Sequence, residues 1–345
     1  MFHLNEKLSP INLRRWQTFK GNKRGYYACI LFLLLFFVSL FAEFIANDKP
    51  ALVSHNGQLY SPALFMYAET AFGGEFETEA DYTDPYVLTL ISEKGWLLWP
   101  FIRFSHDTHI ADLPSPAPSP PSRDNWLGTD DQGRDVFARV IYGFRISILF
   151  ALALTLGSSI IGVAVGAVQG FYGGKIDLFG QRFLEIWSGL PVLFLLIILS
   201  SMFTANIWWL LLIMMLFGWT QLVDLVRAEF LRGRNLDYVK AARAMGVSNA
   251  VIMVRHILPN AIVATLTYMP FILTGAITTL TSLDFLGFGL PPGSASLGEL
   301  VAQGKSNLHA SWLGISAFVV LSLMLTLLVF IGEAVRDALD PRLVK

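Results

Sequence analysis

The amino-acid sequence predicts an all-α integral membrane protein with about six transmembrane helices and a large loop after the first helix. Of its 345 residues, 54% are hydrophobic and only 15% are charged, and the mean hydropathy of +0.54 exceeds that of a soluble domain. A spanning helix needs roughly 20 mostly apolar residues. Six runs meet this requirement: 26–46, 146–168, 183–203, 207–225, 261–283 and 312–331. Most of the chain is therefore expected to face lipid or other helices.

The charges between the apolar runs predict an orientation. Six Lys and Arg residues in segment 1–25 are opposed by a single acid, which by the positive-inside rule favours a cytoplasmic N-terminus. In segment 47–143, acids outnumber Lys and Arg by about two to one, which favours an external loop. The basic segment 228–259 is expected to return to the cytoplasm. With six spans, the five-helix core at 144–336 then ends in a cytoplasmic tail at 337–345.

The composition of the predicted external loop changes along its length. Aromatic and aliphatic residues at 63–72 and 86–104 are numerous enough to pack together. By contrast, the run PSPAPSPPS at 114–122 is typical of a stiff, extended linker. We therefore expect a small ordered appendage that this linker holds away from the spans.

The sequence offers little for metal binding or disulfide formation. Four neighbouring loop residues could be imagined as metal ligands: His106, Asp107, His109 and Asp112. They include no cysteine and no histidine pair at helical i, i+4 spacing, so exposed loop residues are the favoured interpretation. The single cysteine, Cys29, lies in an apolar run and has no partner for an internal disulfide. We expect no metal and no cofactor bound by this chain.

Small residues recur at helical spacing in the second run. Gly162, Gly166 and Gly170 fall on one helical face, where another backbone can approach closely. Packing within one subunit is favoured over a role in a solute path. Pro191 and Pro270 interrupt later runs, as hinges or as static kinks.

Motifs of enzymes are absent from the sequence. Gly173-Gly174-Lys175 is similar to part of a phosphate-binding loop, but the pattern G-x-x-x-x-G-K-[ST] would need glycine at Gln169 and Ser or Thr at Ile176. Neither H-E-x-x-H nor G-x-S-x-G occurs. A net charge of −1 gives no reason to expect nucleic-acid binding. We expect no catalytic residue in this chain.

The segment after the fourth run predicts two short helices that meet at a corner. Asp237 is placed to cap a helix at 238–245, which Gly246 ends. Ser248 is placed to cap a second helix at 249–258, closed by Pro259. The first helix is expected to present three small side chains to a partner, namely Ala241, Ala242 and Ala244. The alternative is an ordinary capped linker.

This corner resembles a known motif. Lys240-Ala241-Ala242, Gly246 and Leu258-Pro259 match the spacing of E-A-A-x3-G-x9-I-x-L-P, the loop of ABC importer permeases. The runs NWLGTDDQGRDVFARVIYGFRISI (125–148), GFYGGKID, FLGFGLPP (285–292) and DALDPR also resemble the C-type permeases of dipeptide and oligopeptide importers. The long loop and the DDQGRD spelling are most similar to the Yej-type permeases, associated with oligopeptide and microcin C uptake.

The resemblance implies a function and a set of partners. It implies the type I importer permease fold in a bacterial inner membrane, with the corner seated as a coupling helix in a groove of a cytoplasmic ATPase. A second homologous permease, two ATPase subunits that use ATP and Mg, and a periplasmic solute-binding protein would complete the assembly. The family's Glu is Lys240 here, so a contact of that Glu does not carry over.

Two other function classes stay open at this point. A self-contained secondary transporter or channel would show charged residues at the membrane midplane or inverted repeats, and neither is clear. A membrane-embedded enzyme would be active as a single purified chain. The solute is open among dipeptides, longer peptides, a peptide antibiotic and nickel complexes.

Overall fold

The fold is taken from a computed structural model, which describes residues 10–204 and 206–339. The start of the predicted N-terminal segment 1–25 and most of the predicted tail 337–345 lie outside the described residues. The described helices are α1 Pro10–Gly21, α2 Lys23–Leu40, α3 Ala42–Ile45, α4 Pro85–Lys94, α5 Val136–Tyr172, α6 Gly174–Ser188, α7 Val192–Met202, α8 Ile207–Gly218, α9 Thr220–Gly233, α10 Asp237–Ala244, α11 Asn249–Val251, α12 Leu258–Phe285, α13 Leu297–Ser306 and α14 Ser311–Leu339.

Long apolar helices make up most of the described chain. Four helical stretches are long and apolar enough to cross a membrane: α2, α5, Asn249–Phe285 and α14. The pairs α6–α7 and α8–α9 qualify as bent spans, with bends of 75° and 41°. The first bend lies at Pro191, whose ring nitrogen cannot donate to a helical carbonyl. Up to six spans therefore agree with the six predicted runs.

Close helix contacts hold these spans around α5. A Cβ added at Gly162, Gly166 or Gly170 would lie 2.5 to 2.6 Å from a backbone oxygen at or in α9, so the two backbones meet where no side chain fits. The side-chain pair Arg227–Asp177 joins α9 to α6, with Nη2–Oδ2 at 2.8 Å. The three glycines thus lie in a helix–helix contact within the subunit.

The first span packs against the last. Gly25 of α2 lies so close to Ala334 of α14 that an added Cβ would overlap that alanine. Nearby, Asn22 Nδ2 donates to Asp337 Oδ2 at 3.3 Å. The predicted run 26–46 corresponds to α2 and the short helix α3, and the preceding helix α1 was not predicted.

Residues 47–135, here called the insert domain, contain the one sheet of the described chain. Strand β1 (Leu52–His55) pairs antiparallel with β2 (Gln58–Tyr60) and with β3 (Gly95–Leu98). A 3₁₀ turn, Glu69–Phe72, and helix α4 pack on the sheet around Phe72 and Ile91, which are buried. The domain is ordered, as predicted, but the sheet departs from an all-α chain because its strands are too short to give a clear period-2 pattern.

The proline-rich run does not act as a free spacer. Ser119 is buried, and its backbone N–H donates to Thr129 Oγ1 at 2.8 Å while its carbonyl accepts from Thr129 N at 2.9 Å. Trp312 of α14 donates from Nε1 to the carbonyl of Thr129 at 3.1 Å. The expectation that 114–122 holds an appendage away from the spans is wrong, because these hydrogen bonds fix the run against the start of α5 and α14.

Candidate coupling site and the charged cluster at the far end of α5

The predicted corner is present, with one helix ending in a left-handed glycine. Gly246 has φ of 80°, follows α10, and donates to the carbonyl of Arg243 at 3.0 Å. Val247 N donates to the carbonyl of Ala242 at 3.1 Å. These two bonds form a Schellman motif, which satisfies the last carbonyls of the helix. An added Cβ at Gly246 would meet no atom within 4 Å, so its backbone conformation is the requirement for glycine.

Two details of the predicted first helix are wrong. Asp237 does not cap it: the N-cap is Leu236, and Asp237 is the first helical residue, with its side chain 3.4 Å from Lys240 Nζ. Ala242 is not presented to a partner, since it is 3% exposed and packs inside with Val239. The helical period places residues three apart on one face, and here that face turns inward.

The outer face of α10 carries the remaining motif residues. Lys240, Ala241 and Ala244 are exposed, and the Lys240 side chain is 63% accessible. The side chains on this face are small, except for the positively charged Lys240. A partner surface could therefore approach the helix backbone closely over the two alanines.

The corner is anchored to the helices behind it. Arg243 Cζ lies 5.5 Å from the centre of the Phe171 ring at the end of α5. Tyr238 donates from its hydroxyl to the carbonyl of His256 at 3.3 Å. Ile252 and Ile257 are buried in the same apolar cluster as Val239. A displacement of α10 would thus be transmitted to α5 and to the helix that follows.

The second predicted helix does not end at Pro259. The chain passes from α11 through a π-helical segment, Ile252–Ile257, directly into α12, where Pro259 lies in the first turn. Proline cannot donate to a carbonyl of the turn before it, and the wider π turn, in which the Leu258 N–H bonds to the carbonyl of Met253, directly precedes Pro259. Leu258 is half-buried against the apolar cluster and Pro259 is exposed. The corner is therefore continuous with a spanning helix.

A buried charged cluster lies at the other end of α5, which at 37 residues is about 55 Å long. Asp130, Arg134 and Arg139 have side chains at most 1% exposed, and Glu299 of α13 is 30% exposed. Arg139 Nη2 donates to Glu299 Oε2 at 2.8 Å, and Arg134 Nη2 to Glu299 Oε1 at 3.0 Å. Two positive and two negative charges balance within the cluster, as burial requires.

Asp130 organises the start of α5 within this cluster. It accepts from Arg134 Nε at 2.8 Å and from the backbone N–H groups of Arg134 and Gln132. Arg139 Nε lies 3.4 Å from Asp130 Oδ2, a contact between charges without hydrogen-bond geometry. Burial opposes the charge of Arg134, but the hydrogen bond and charge of Asp130 raise its pKa above the usual arginine value.

No sequence motif predicted this cluster. Its signal was present in the charges of DDQGRDVFAR, which stand directly before an apolar run, but their partner Glu299 is far away in the sequence. Arg139 also donates to the carbonyls of His106 at 3.2 Å and Ser294 at 3.1 Å. It thereby ties the insert domain and the loop before α13 to α5.

Of the four candidate metal-ligand residues in the insert domain, His106 has a packing role, whereas Asp107, His109 and Asp112 are exposed. The His106 ring stacks on Tyr142, with centroids 4.5 Å apart, and its burial lowers the pKa of the imidazole. His106 is thus half-buried instead of exposed as expected, while His109 is exposed. Among residues 10–204 and 206–339, no group of three or more His, Cys, Asp and Glu side chains could hold a metal ion.

Comparison with known proteins agrees with this architecture. Residues 140–345 match the family described as binding-protein-dependent transport system inner membrane component. The chain belongs to this family. The match covers more than half of the sequence and includes both the corner and Glu299. The permease resemblance noted from the coupling motif is therefore confirmed.

Individual relatives extend the similarity of this permease beyond the family match. It is 59% identical over 335 residues to the inner membrane ABC transporter permease protein YejE of Escherichia coli, covering 97% of this chain and 98% of the relative. It is 54% identical to the peptidoglycan transport system permease protein YejE of Agrobacterium fabrum, over 97% of this chain and 94% of the relative. The oligopeptide transport system permease protein OppC of Haemophilus influenzae is 34% identical, over 74% and 81%.

A solved structure that matches part of the chain is an ABC transporter. It is titled as inward-facing conformations of the MetNI methionine ABC transporter and matches with a TM-score of 0.48 and 14% identity, over 59% of this chain and 96% of that chain. The family match shows that this permease is a multi-pass inner-membrane component of a transport system. It is helical in its membrane part, as the sequence predicted.

Proposed function

We propose that this permease forms one half of the translocation path of an ATP-driven importer for peptides or peptide-like solutes. The observation that carries the proposal is the corner at α10: a helix with an exposed face of small residues, ended by Gly246 and continuous with spanning helix α12. Relatives with oligopeptide, dipeptide or peptidoglycan transport in their names support the solute class. A second homologous permease supplies the other half of the path.

Energy comes from two cytoplasmic ATPase subunits that bind ATP and Mg, since this chain carries no phosphate-binding loop of its own. The coupling residues are Lys240, Ala241, Gly246, Leu258 and Pro259, with Ala242 as the inward anchor. Closure of the ATPases moves α10, and its contacts with α5 and α12 pass the movement to the spans. The spans then exchange inward-open and outward-open states.

The charge distribution supports an orientation with α10 and both termini in the cytoplasm and the insert domain in the periplasm. The test uses the single substitutions Glu77→Cys and Ser248→Cys, each at an exposed position and each in a Cys29→Ser background. With an impermeant thiol reagent added outside intact spheroplasts, we expect the thiol at position 77 to be labelled and the thiol at position 248 to be protected. Equal labelling would contradict the orientation.

The insert domain is proposed to help dock a periplasmic solute-binding protein. It exposes apolar side chains, with Phe65 64%, Met66 79% and Phe76 63% exposed, next to the acidic run from Glu75 to Asp84. Apolar contacts rimmed by charge are typical of transient interfaces, and the acids would speed encounter with a basic patch. A structural cap over the end of α2 is the simpler alternative.

The deciding experiment is reconstitution of this permease with its partner subunits in proteoliposomes. We expect uptake of a radiolabelled oligopeptide only when two components are present. ATP must be on the side of the membrane that holds the ATPase subunits, and the binding protein must be on the opposite side. A secondary transporter would instead take up solute with the purified single chain and an ion gradient. That outcome would overturn the proposed function.

A further inference from the structure

A cavity of about 310 Å³ lies where both bent spans break. Ser188 and Val192 flank the 75° bend, Gly218 and Thr220 flank the 41° bend, and all four line the cavity. Residues of α5 and α12 line its other sides. Ser158 of α5 is about 33 Å along the helix from Val136 and about 21 Å from Tyr172, so the cavity lies within the membrane depth. Its size falls at the lower end of small-molecule sites.

The lining combines apolar and neutral polar groups. Among the described residues, no Asp, Glu, Lys or Arg lines the cavity. Polar groups come from Ser158, Trp187, Ser188, Thr220, Gln221 and Thr279. A site that binds a charged group would need a side chain of opposite charge, because burying an isolated ion in an apolar environment costs free energy. The lining therefore suits an uncharged group that forms hydrogen bonds.

Two polar atoms at the cavity wall have no hydrogen-bond partner in the described part of the chain: Ser158 Oγ and Trp187 Nε1. Ser158 is 2% exposed. Several hydroxyls in the spans bond to the carbonyl four residues before them, as Thr274 does to Pro270 at 2.8 Å and Thr279 to Gly275 at 3.0 Å, whereas Thr155, Ser159 and Ser200 share the unpaired state of Ser158 in the described part of the chain. Ser158 lacks even this bond, so its hydroxyl remains available for another acceptor or donor.

The wall at Ser158 is able to open by a small movement. Its hydroxyl lies against Gly218, where an added Cβ would approach Ser158 Oγ to 2.8 Å. Because glycine has no side chain, the Ser158 hydroxyl can move away from Gly218 without a rearrangement of side-chain packing between the two residues. A slight separation of α5 from the bend at Gly218 would bring the hydroxyl into the cavity. Such a separation is the kind of change that helix movements between states produce.

We propose that this cavity is a solute-binding site within the membrane, which holds an uncharged hydrogen-bonding segment such as a peptide group. Ser158, Trp187 and Gln221 would supply donors to a peptide carbonyl, and Gln221 would also accept from a peptide N–H. The apolar walls would contact a neutral side chain. This proposal rests on the importer function proposed above and names the part of the solute that the site takes.

Filling the cavity is the first test. A Cβ added at Gly275 would meet no atom within 4 Å, and Gly275 lines the cavity, so the side chain of Gly275→Leu starts in open space at the cavity wall. Gly21→Leu is the matched control, because Gly21 also has open space around an added Cβ and lies outside the cavity. The probe is radiolabelled tri-alanine, with the complete complex in proteoliposomes. We expect roughly tenfold slower uptake for Gly275→Leu, as for loss of a solute contact, and the original rate for Gly21→Leu. Equal rates in both variants would overturn the proposal.

A pair of adjacent serines tests the hydrogen bond. Ser158→Ala and Ser159→Ala each remove a buried hydroxyl without a partner in the described chain, but only Ser158 lines the cavity. We expect the tri-alanine concentration that gives half-maximal uptake to rise about 3- to 10-fold for Ser158→Ala alone. Thermal stability should be unchanged or raised in both, because each loses an unpaired polar group. The same uptake in both variants would contradict a solute contact at Ser158.

A third measurement separates the cavity from the importer function. If the original protein shows no ATP-dependent uptake of tri-alanine, the proposed peptide import is wrong, and the cavity needs a test of its own. Gly275→Cys in a Cys29→Ser background is then treated with N-ethylmaleimide, an uncharged reagent, with and without MgATP and vanadate. A labelling rate that changes by about threefold or more between the two states supports a cavity on the solute path. An unchanged rate would overturn that assignment.

Discussion

Arg139 Nη2 lies 2.8 Å from Glu299 Oε2, joining residues that are 160 positions apart in the sequence. Arg139 is fully buried, and Glu299 also accepts from Arg134. The pair therefore locks the start of α5 to α13 at the end of the molecule where the insert domain lies. The far end of α5 contacts the coupling corner through Phe171. One helix thus joins a fixed charged cluster to the element proposed to move.

Replacing Glu299 by Gln should destabilise the protein strongly. The substitution leaves two buried guanidinium groups with Asp130 as their one remaining carboxylate in the cluster. Breaking a fully buried pair costs about 3–5 kcal/mol, and the partial exposure of Glu299 reduces the expected loss to about 2–3 kcal/mol. The measurement is the free energy of unfolding in mild detergent. Glu185→Gln is the control, since its pair with Arg182 is exposed and should change stability by less than about 1 kcal/mol.

Gly246→Val should uncouple ATP hydrolysis from uptake. A non-glycine residue at φ of 80° costs about 1–2 kcal/mol, and a β-branched side chain costs more, so α10 should lose its defined end. The ATPase rate and the uptake rate are measured on the same proteoliposomes. Gly21→Val is the matched control, because Gly21 has open space but no positive φ. Tightly coupled uptake in Gly246→Val would show that the corner is only a linker.

Lys240→Glu should weaken coupling more in low salt than in high salt. If the ATPase groove has adapted to the positive charge of Lys240, the reversed charge is repelled, and salt screens exposed charges over about 10 Å at 0.1 M. The helix itself should tolerate the change, because the contact with Asp237 that becomes a like-charge pair is exposed and therefore weak, and an acid in the first half of α10 is favourable for the helix dipole. ATPase affinity is measured across ionic strengths, with Lys240→Gln for comparison. Identical salt dependence in all three proteins would mean that Lys240 is simply solvated.

Removal of the outer part of the insert domain should weaken binding of the solute-binding protein. Ala51 N donates to the carbonyl of Leu98 at 2.8 Å, so residues 52–97 can be replaced by a two-glycine link between neighbouring ends. The deletion leaves His106 on Tyr142 and the charged cluster intact. We expect reduced affinity for the binding protein and reduced stimulation of ATP hydrolysis, with normal membrane levels. Unchanged affinity would leave this part of the domain as a structural cap.

Features set by local interactions were predicted correctly from the sequence. The six apolar runs correspond to four long helices and two bent pairs. This agreement is expected, because the transfer of about 20 apolar residues into lipid depends on the composition of the segment and only weakly on its tertiary contacts. Gly246 was predicted to end a helix in the left-handed region, since that conformation depends on its own backbone and the turn before it. The separate insert domain was likewise visible as a change in composition.

Features set by contacts between distant residues were decided by the tertiary structure. Whether Ala242 faces a partner or the interior depends on how α10 is rotated against Ile252 and Ile257. Pro259 begins a helix instead of ending one because a π turn precedes it. Glu299 finds Arg139 only when α13 packs beside α5. The sequence by itself determined which segments enter the membrane and where one turn lies, whereas the partner of each buried charge required the folded chain, because pairing depends on distance in space.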